Sequence, residues 1–110
     1  MEQWHPLSGL RVLEMGSRTT APYIGKLLTD AGADVLKLES PVGDPFRTWS
    51  ASGASIPDGE DAAWWRFLNA GKKSTTIDLE TDEGKDQFHN LVTETDLILD
   101  DHIPQDTQRL

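Results

Sequence analysis

The sequence predicts an α/β fold in which two strand-helix-strand units contribute to one parallel sheet. Residues 10–38 and residues 74–99 each begin and end with a short apolar run, and apolar side chains recur at helical spacing between the runs. A right-handed crossover to a parallel neighbouring strand is the economical topology for the first unit. The two units share this architecture but no sequence motif, so an internal repeat is not indicated.

The first unit has clear signals at the ends of its elements. Residues 10–15 form an apolar run between two glycines and predict a buried strand. Hydroxyl groups within residues 17–20 can cap a helix, and Pro22 falls in the first turn, where its missing amide hydrogen costs nothing. Gly32 ends this helix, and residues 33–38 predict a second buried strand. The helix has four apolar side chains at helical spacing: Ile24, Leu27, Leu28 and Ala31.

The second unit follows the same pattern. Residues 74–79 predict a strand, Thr81 is the expected N-cap of a helix, and residues 96–99 predict the closing strand. Asp82 and Glu83 suit the first turn of the helix, because carboxylates are stabilised at its positive end. The helix is expected to present one apolar face, formed by Phe88, Leu91 and Val92.

The segment between the two units is expected to belong to the same domain. Residues 40–61 are rich in Gly, Pro, Ser and Asp, and predict a long irregular loop rather than a domain linker. Residues 61–69 predict a short helix. Its Trp64 and Trp65 have side chains that can stack on an adenine base, but aromatic residues of a short helix are more often part of the core, which is the interpretation we adopt.

Length and composition predict a single globular domain. The 110 residues are 36% hydrophobic and include four tryptophans, enough for a modest core that buries roughly two thirds of the unfolded chain's surface. The absence of cysteine excludes disulfides and thiolate chemistry. The first residues do not resemble a signal peptide, and no apolar run reaches the roughly 20 residues of a membrane span. We therefore expect a soluble, cytoplasmic protein.

The formal net charge is −9, and most of it lies in the C-terminal third. Residues 76–110 contain ten acidic residues and two basic ones. An acidic surface repels phosphate at long range, so nucleic acid is not expected as a partner. An anionic ligand would need a local basic cluster such as Arg18, Arg47, Lys72 and Lys73. Without such a ligand, the acidic end is a solvated face.

Two common types of site are not indicated. Glu39 ends the second predicted strand, where a dinucleotide-binding domain has its ribose-binding acid, but the loop after the first strand lacks Gly-x-Gly-x-x-Gly. NAD is therefore not predicted. His5, His89 and His102 are far apart and lack the spacing of metal ligands, so no metal site is predicted.

Short pieces spread over almost the entire chain carry a resemblance to a known family. They are residues 6–14, 21–22, 28–39, 41–45 with Arg47, 69–74, 78–81 with 83–84, and 95–96. In their order and spacing they resemble the N-terminal part of the family III CoA-transferases, which include formyl-CoA transferase, the carnitine CoA-transferases and α-methylacyl-CoA racemase. The resemblance implies a Rossmann-like parallel sheet built from two β-α-β units, with residues 1–110 as an incomplete N-terminal segment of the family's domain.

The resemblance also implies a chemistry. In the family, an aspartate attacks the thioester, the acyl group passes through a mixed anhydride, and CoA moves to an incoming carboxylate. Racemase members instead move a proton next to the thioester carbonyl. Family chains are several times longer, and their catalytic aspartate lies beyond the segment that Leu110 reaches. No residue here is therefore assigned a catalytic role, and we expect no activity from this chain alone.

The resemblance further implies CoA or acyl-CoA as a substrate, with no permanently bound cofactor, and a homodimer of two interlocking ring-shaped chains. The candidate CoA contacts that it implies are Ser17, Arg18, Thr19, Thr20, Ser40, Lys72, Lys73, Ile77, Glu80, Asp101 and His102. Three departures from the family pattern point in one direction. Ser40 stands where many members have arginine, Glu80 where formyl-CoA transferase has lysine, and Asp101 within the family's Glu-Asn-Phe. Such changes weaken a site for a polyphosphate.

Two classes of function stay open from the sequence. The first is the CoA-facing N-terminal part of a CoA-transferase, or of an acyl-CoA racemase. The second is a non-catalytic, degenerate unit that serves packing or dimer assembly. In either class, the face left open after Leu99 predicts association with a second copy or with the remainder of a CoA-transferase.

Overall fold

The computed structural model describes residues 5–102, which form one four-stranded parallel sheet with helices on both faces. The elements in chain order are β1 (Arg11–Glu14), α1 (Thr20–Asp30), β2 (Asp34–Glu39), a 3-10 turn (Pro45–Arg47), α2 (Ala63–Asn69), β3 (Lys73–Thr76), α3 (Asp82–Thr93) and β4 (Leu97–Leu99). The strand order is β3-β2-β1-β4, and all neighbouring strands are parallel. The predicted α/β fold with two strand-helix-strand units is confirmed.

Three of the four strands are shorter than the apolar runs that predicted them, whereas β2 has the predicted length and begins one residue later. β3 ends at Thr76, although the apolar residues Ile77 and Leu79 follow it. Both of these residues pack against the core, and the Ile77 amide still donates to the Glu39 carbonyl at 2.9 Å. The apolar run therefore predicts correctly which residues are buried, although strand β3 ends before the run does.

The two faces of the sheet carry separate apolar clusters, because successive side chains of a strand point to opposite faces. On the first face, Phe88 of α3 packs in a cluster with Leu13 of β1. On the second face, Leu28 of α1 packs against Val12 of β1 and Val35 of β2. The sheet is thus covered by α3 on one side and by α1 on the other.

The two long helices begin in different ways. Thr81 caps α3 as predicted, since its Oγ1 accepts a hydrogen bond from the Gly84 amide at 2.9 Å. Thr19 holds the N-cap position of α1 but makes no capping hydrogen bond. Instead, Asp101 Oδ2 accepts a hydrogen bond from the Ala21 amide at 3.2 Å, so a tertiary contact replaces the local cap. Within residues 5–102, no helix has the length and apolar character needed to cross a membrane.

The short helix α2 is present, but the prediction that Trp64 belongs to the core is wrong. Leu68 is fully buried, whereas Trp64 is 37% and Phe67 51% exposed. The helix has seven residues, so only one narrow stripe can face inward, and Trp64 stacks on Phe67 at the surface. Trp65 is partly buried, with its ring 3.8 Å from the guanidinium carbon of Arg47.

β4 forms one edge of the sheet. Its Leu97 and Ile98 are exposed apolar residues. The sequence predicted an open face after Leu99, whereas these two residues precede it within β4. The association expected through this edge stays a prediction.

Candidate functional site

A cavity of about 720 Å³ opens at the carboxyl ends of the strands. It is lined by residues 15–17 at the end of β1, 37–45 at the end of β2 and 77–80 after β3, together with Lys85 and His102. In open α/β sheets, ligands bind outside the carboxyl ends of the strands, where the strand order reverses. The reversal lies here between β1 and β4. The cavity therefore occupies the part of the fold best suited to a small-molecule ligand.

Below the cavity, the second face of the sheet ends in charged rather than apolar residues. Val12 and Val35 are followed two positions later by Glu14 and Lys37, which pair across β1 and β2. Lys37 Nζ donates to Glu14 Oε2 at 3.0 Å and to the carbonyl oxygen of Gly16 at 3.3 Å. The side chain of Lys37 is only 1% exposed and that of Glu14 is fully buried, so water does not screen the pair.

Asp44 connects the loop after β2 to the same ammonium group. Asp44 Oδ2 lies 3.0 Å from Lys37 Nζ, but it accepts no well-directed hydrogen bond from any residue between 5 and 102. The contact is therefore an electrostatic attraction between a buried carboxylate and a buried ammonium. Asp44 Oδ1 accepts a hydrogen bond from the Phe46 amide at 2.9 Å and starts the 3-10 turn. Asp44 thus ties the cavity wall to the sheet.

Lys72 reaches the same charges from the helix side. Its Nζ donates to Glu14 Oε1 at 2.6 Å, to the Pro22 carbonyl at 2.8 Å and to Asn69 Oδ1 at 2.9 Å. Burial lowers the pKa of Lys72, although the hydrogen bond and charge of Glu14 oppose this shift. We use the name ionic cluster for the two carboxylates and two ammonium groups that balance in charge here: Glu14, Lys37, Asp44 and Lys72.

Gly25 makes room for the ionic cluster inside α1. A β-carbon at this position would collide with Glu14 Oε1 and lie 3.1 Å from Lys72 Nζ. Glycine in a helix interior costs roughly 0.5–1 kcal/mol relative to alanine. The close approach of α1 to the Glu14 carboxylate explains why glycine occupies this position.

A second set of ionic contacts holds the far end of the same loop. Arg47 donates to Glu39 from Nε at 2.9 Å and from Nη2 at 2.7 Å, and its Nη1 donates to both oxygens of Asp61. The Asp44 amide also donates to Glu39 Oε2, at 3.0 Å. Both Glu39 oxygens therefore accept hydrogen bonds within the loop, which gives Glu39 a structural role.

These contacts change the acid-base properties of the pair. Burial by itself would raise the pKa of Glu39, but the hydrogen bonds from Arg47 and from the Asp44 amide lower it below its ordinary value of 4.5. The hydrogen bond to Glu39 in turn raises the pKa of Arg47, against the effect of burial. The loop is therefore held by a pair that stays charged at neutral pH.

The structure brings five of the eleven predicted CoA contacts together in the cavity lining: Ser17, Ser40, Ile77, Glu80 and His102. They follow the carboxyl ends of all four strands. The fold thus collects positions that are distant in the sequence. Their contact with CoA stays a prediction.

The other six predicted positions lie outside the cavity lining. Arg18, Thr19 and Thr20 are exposed and follow the cavity-lining Ser17. Lys73 is exposed at the start of β3 and lies 3.8 Å from Asp34. The remaining two are Lys72, which is buried in the ionic cluster, and Asp101.

Asp101 occupies the amino end of α1, a position where phosphate groups bind in many nucleotide-binding folds. Its carboxylate accepts a hydrogen bond from the Ala21 amide. It also lies close to Gly16, because a β-carbon on Gly16 would be 2.6 Å from the Asp101 carboxylate. A carboxylate at this place already interacts with the positive end of the helix. His102 Nδ1 lies 2.6 Å from Asp100 Oδ1. The carboxylate oxygens and imidazole nitrogen of Asp100, Asp101 and His102 lie within 4.8 Å of one another.

The sequence interpretation missed the roles of Glu14, Lys37 and Asp44, and it did not identify Lys85. A signal existed for the first two, because a charged residue two positions after a buried valine in both strands must face inward with that valine. Asp44 and Lys85 gave no such signal. The position of Asp44 depends on the conformation of the loop after β2, and that of Lys85 depends on the rotation of α3 about its axis. Lys85 lines the cavity and forms no ion pair with any residue of the described range 5–102.

Comparison with known proteins gives a consistent result. The sequence model of CoA-transferase family III matches residues 7–110. The chain is 43% identical over 103 residues to succinyl-CoA--D-citramalate CoA-transferase of Chloroflexus aurantiacus, covering 90% of this chain and 24% of that protein. It is 40% identical over 98 residues to succinate--glutarate CoA-transferase of Agrobacterium fabrum, covering 86% of this chain and 24% of that protein.

The fold comparison agrees with the sequence comparison. A CAIB/BAIF family protein from Brucella suis, known from its crystal structure, superposes with a TM-score of 0.78 at 41% identity. The match covers 87% of this chain and 25% of that chain. The chain thus spans about a quarter of the length of the relatives it matches.

Proposed function

This chain belongs to CoA-transferase family III, and we propose that it forms the CoA-facing N-terminal part of an enzyme that moves CoA from an acyl-CoA thioester to a carboxylic acid. Two relatives named as CoA-transferases support CoA as the transferred group. In this proposal, the described residues bind and orient CoA and form no covalent bond with the substrate.

The cavity at the carboxyl ends of the strands is the observation that carries the proposal. Its volume falls in the range of roughly 300–1,000 Å³ that is usual for small-molecule sites. Leu38 and Ile77 give it a buried apolar part, which suits a nucleobase or a pantetheine chain. Ser17, Ser40 and Lys85 add hydroxyl donors and one cation for the polar parts of CoA.

A second candidate function is a non-catalytic unit that keeps the fold without binding CoA. The position of Asp101 favours it, because a carboxylate at the amino end of α1 repels a ligand phosphate that would take the same place. Glu80 in the cavity lining acts in the same direction. In this alternative, the chain contributes to packing or to dimer assembly.

Calorimetric titration of the 110-residue chain with CoA, at two salt concentrations, tests the proposal. We expect binding that weakens with salt, because CoA is anionic. Lys85→Gln and Arg18→Gln are each expected to weaken binding by roughly three- to tenfold. Arg66→Gln is the matched control and should bind like the unmodified chain, since Arg66 is an exposed cation on α2, which contributes no residue to the cavity lining, whereas Arg18 directly follows the cavity-lining Ser17.

One further variant separates the two candidates. Asp101→Asn removes the negative charge at the amino end of α1, so it should strengthen CoA binding if the cavity is a CoA site. A folded chain that gives no binding heat in either form would reject the first candidate and favour the non-catalytic unit. Circular dichroism of the same samples verifies that they are folded.

A further inference from the structure

The two walls of the cavity meet at one buried ammonium group. In the wall after β1, the Gly16 carbonyl accepts a hydrogen bond from Lys37 Nζ at 3.3 Å. In the wall after β2, Asp44 Oδ2 lies 3.0 Å from the same atom. Glu14 Oε2, also at 3.0 Å, anchors the ammonium to the sheet. One side chain therefore contacts both walls and the last residue of β1.

The other lysine of the ionic cluster contacts neither wall. The side chain of Lys72 has the same 1% exposure as that of Lys37, and both side chains share the partner Glu14. Its other two partners, Pro22 and Asn69, belong to α1 and α2 and do not line the cavity. The side chains of the two lysines are thus matched in burial and charge, but Lys37 contacts the cavity walls and Lys72 contacts α1 and α2.

We propose that Lys37 is a positioning residue that fixes the separation of the two cavity walls, with Asp44 as its partner on the loop side. A buried charge is costly unless it stays paired. Moving the second wall away would leave the buried Asp44 carboxylate without its partner charge, and moving the first wall would remove the hydrogen bond between Lys37 and the Gly16 carbonyl. The walls are therefore held at one separation. The identity of the ligand rests on the proposed function, whereas the positioning of the walls does not.

Hydrogen exchange of backbone amides, measured without ligand, tests this role in the 110-residue chain. The amides of Met15 and Ala21 flank the first wall and are hydrogen-bonded. The amides of Gly43, Asp44 and Arg47 report on the second wall. Three variants are compared with the unmodified chain: Lys37→Met, Asp44→Asn and Lys72→Met.

Each variant has a distinct expected pattern. Lys37→Met should speed exchange at both walls by about tenfold or more, because both lose their shared partner. Asp44→Asn keeps an oxygen for the Phe46 amide but loses the charge that faces Lys37, so only the second wall should exchange faster. Lys72→Met should lower stability without a selective effect on either wall.

Two outcomes would overturn the proposal. One is unchanged exchange of the second wall in Asp44→Asn, which decides the matter even if Lys37→Met does not fold. The other is the same exchange pattern in Lys37→Met and Lys72→Met, since a purely structural cluster would respond alike to the loss of either lysine.

Titration of the same samples with CoA links positioning to binding. We expect Asp44→Asn to weaken CoA binding by about tenfold, whereas Arg66→Gln, on α2 outside the cavity lining, should leave the affinity unchanged. Absence of CoA binding in the unmodified chain would reject the proposed function, while the exchange pattern would still decide whether Lys37 positions the walls. Equal CoA affinity in Asp44→Asn and the unmodified chain would show that wall separation does not set affinity.

Discussion

The two faces of the sheet are stabilised by different interactions. The face under α3 is apolar along its length, with Phe88 packed near Leu13. The face under α1 begins with Val12 and Val35 and ends in the ionic cluster. Apolar contacts are non-directional and tolerate small shifts, whereas buried ion pairs keep fixed distances. Both faces contribute to the cavity: Leu38 and Ile77 of the apolar face line it, and Lys37 of the charged face contacts both of its walls.

The largest effect is expected where one carboxylate partners two buried cations. Glu14→Gln removes the negative charge that pairs with both Lys37 and Lys72. Breaking a buried ion pair costs about 3–5 kcal/mol. Urea denaturation should therefore show a loss of that size in the free energy of unfolding. Glu60→Gln, at an exposed loop position, is the control and should change it by less than about 0.5 kcal/mol. Similar losses in both variants would contradict the role of Glu14 as the shared partner of two buried ammonium groups.

A smaller effect is expected where α1 approaches the ionic cluster. Gly25→Ala would normally stabilise a helix, but its β-carbon would collide with Glu14 Oε1. We expect a loss of about 1–3 kcal/mol, the usual cost of overpacking a core. Asn90→Ala, at an exposed position of α3, is a matched control for helix propensity and should be neutral or stabilising. A stabilised Gly25→Ala variant would mean that α1 can move away from the cluster.

The smallest effect concerns the pH dependence of the stability that Glu39 contributes. The pKa of Glu39 is below 4.5 in the folded chain and has its ordinary value in the unfolded chain. Glu39 therefore contributes its full stabilisation above about pH 4.5, and this contribution is lost as pH falls through the folded-state pKa. Denaturation curves between about pH 6 and about pH 3 should show a shallower decline for Glu39→Gln.

The apolar face supplies the control for this pH experiment. Phe88→Leu removes part of a buried aromatic side chain without changing any charge. It should lower the free energy of unfolding by a similar amount at every pH, so its curve runs parallel to that of the unmodified chain. A parallel curve for Glu39→Gln as well would contradict the assigned pKa shift.

The sequence predicted the elements of the fold well because their signals are local. The cap at Thr81, the proline in the first turn of α1 and the apolar runs each depend on a few neighbouring residues. Of the candidate site, five of the eleven predicted positions line the cavity, while their contact with CoA stays a prediction. The exposed position of Trp64 was not predicted, because the surface that a short helix buries depends on its packing against α1.

By itself, the sequence determined the parallel α/β fold, the order of its elements and the family to which the chain belongs. Only the tertiary structure decided which charged residues meet. Lys37 pairs with Glu14 because β1 and β2 are neighbours in one register, and Asp101 caps α1 because β4 lies beside β1. Hydrophobic periodicity and capping act within a few residues of sequence, whereas a buried ion pair depends on the distance between groups that separate elements bring together.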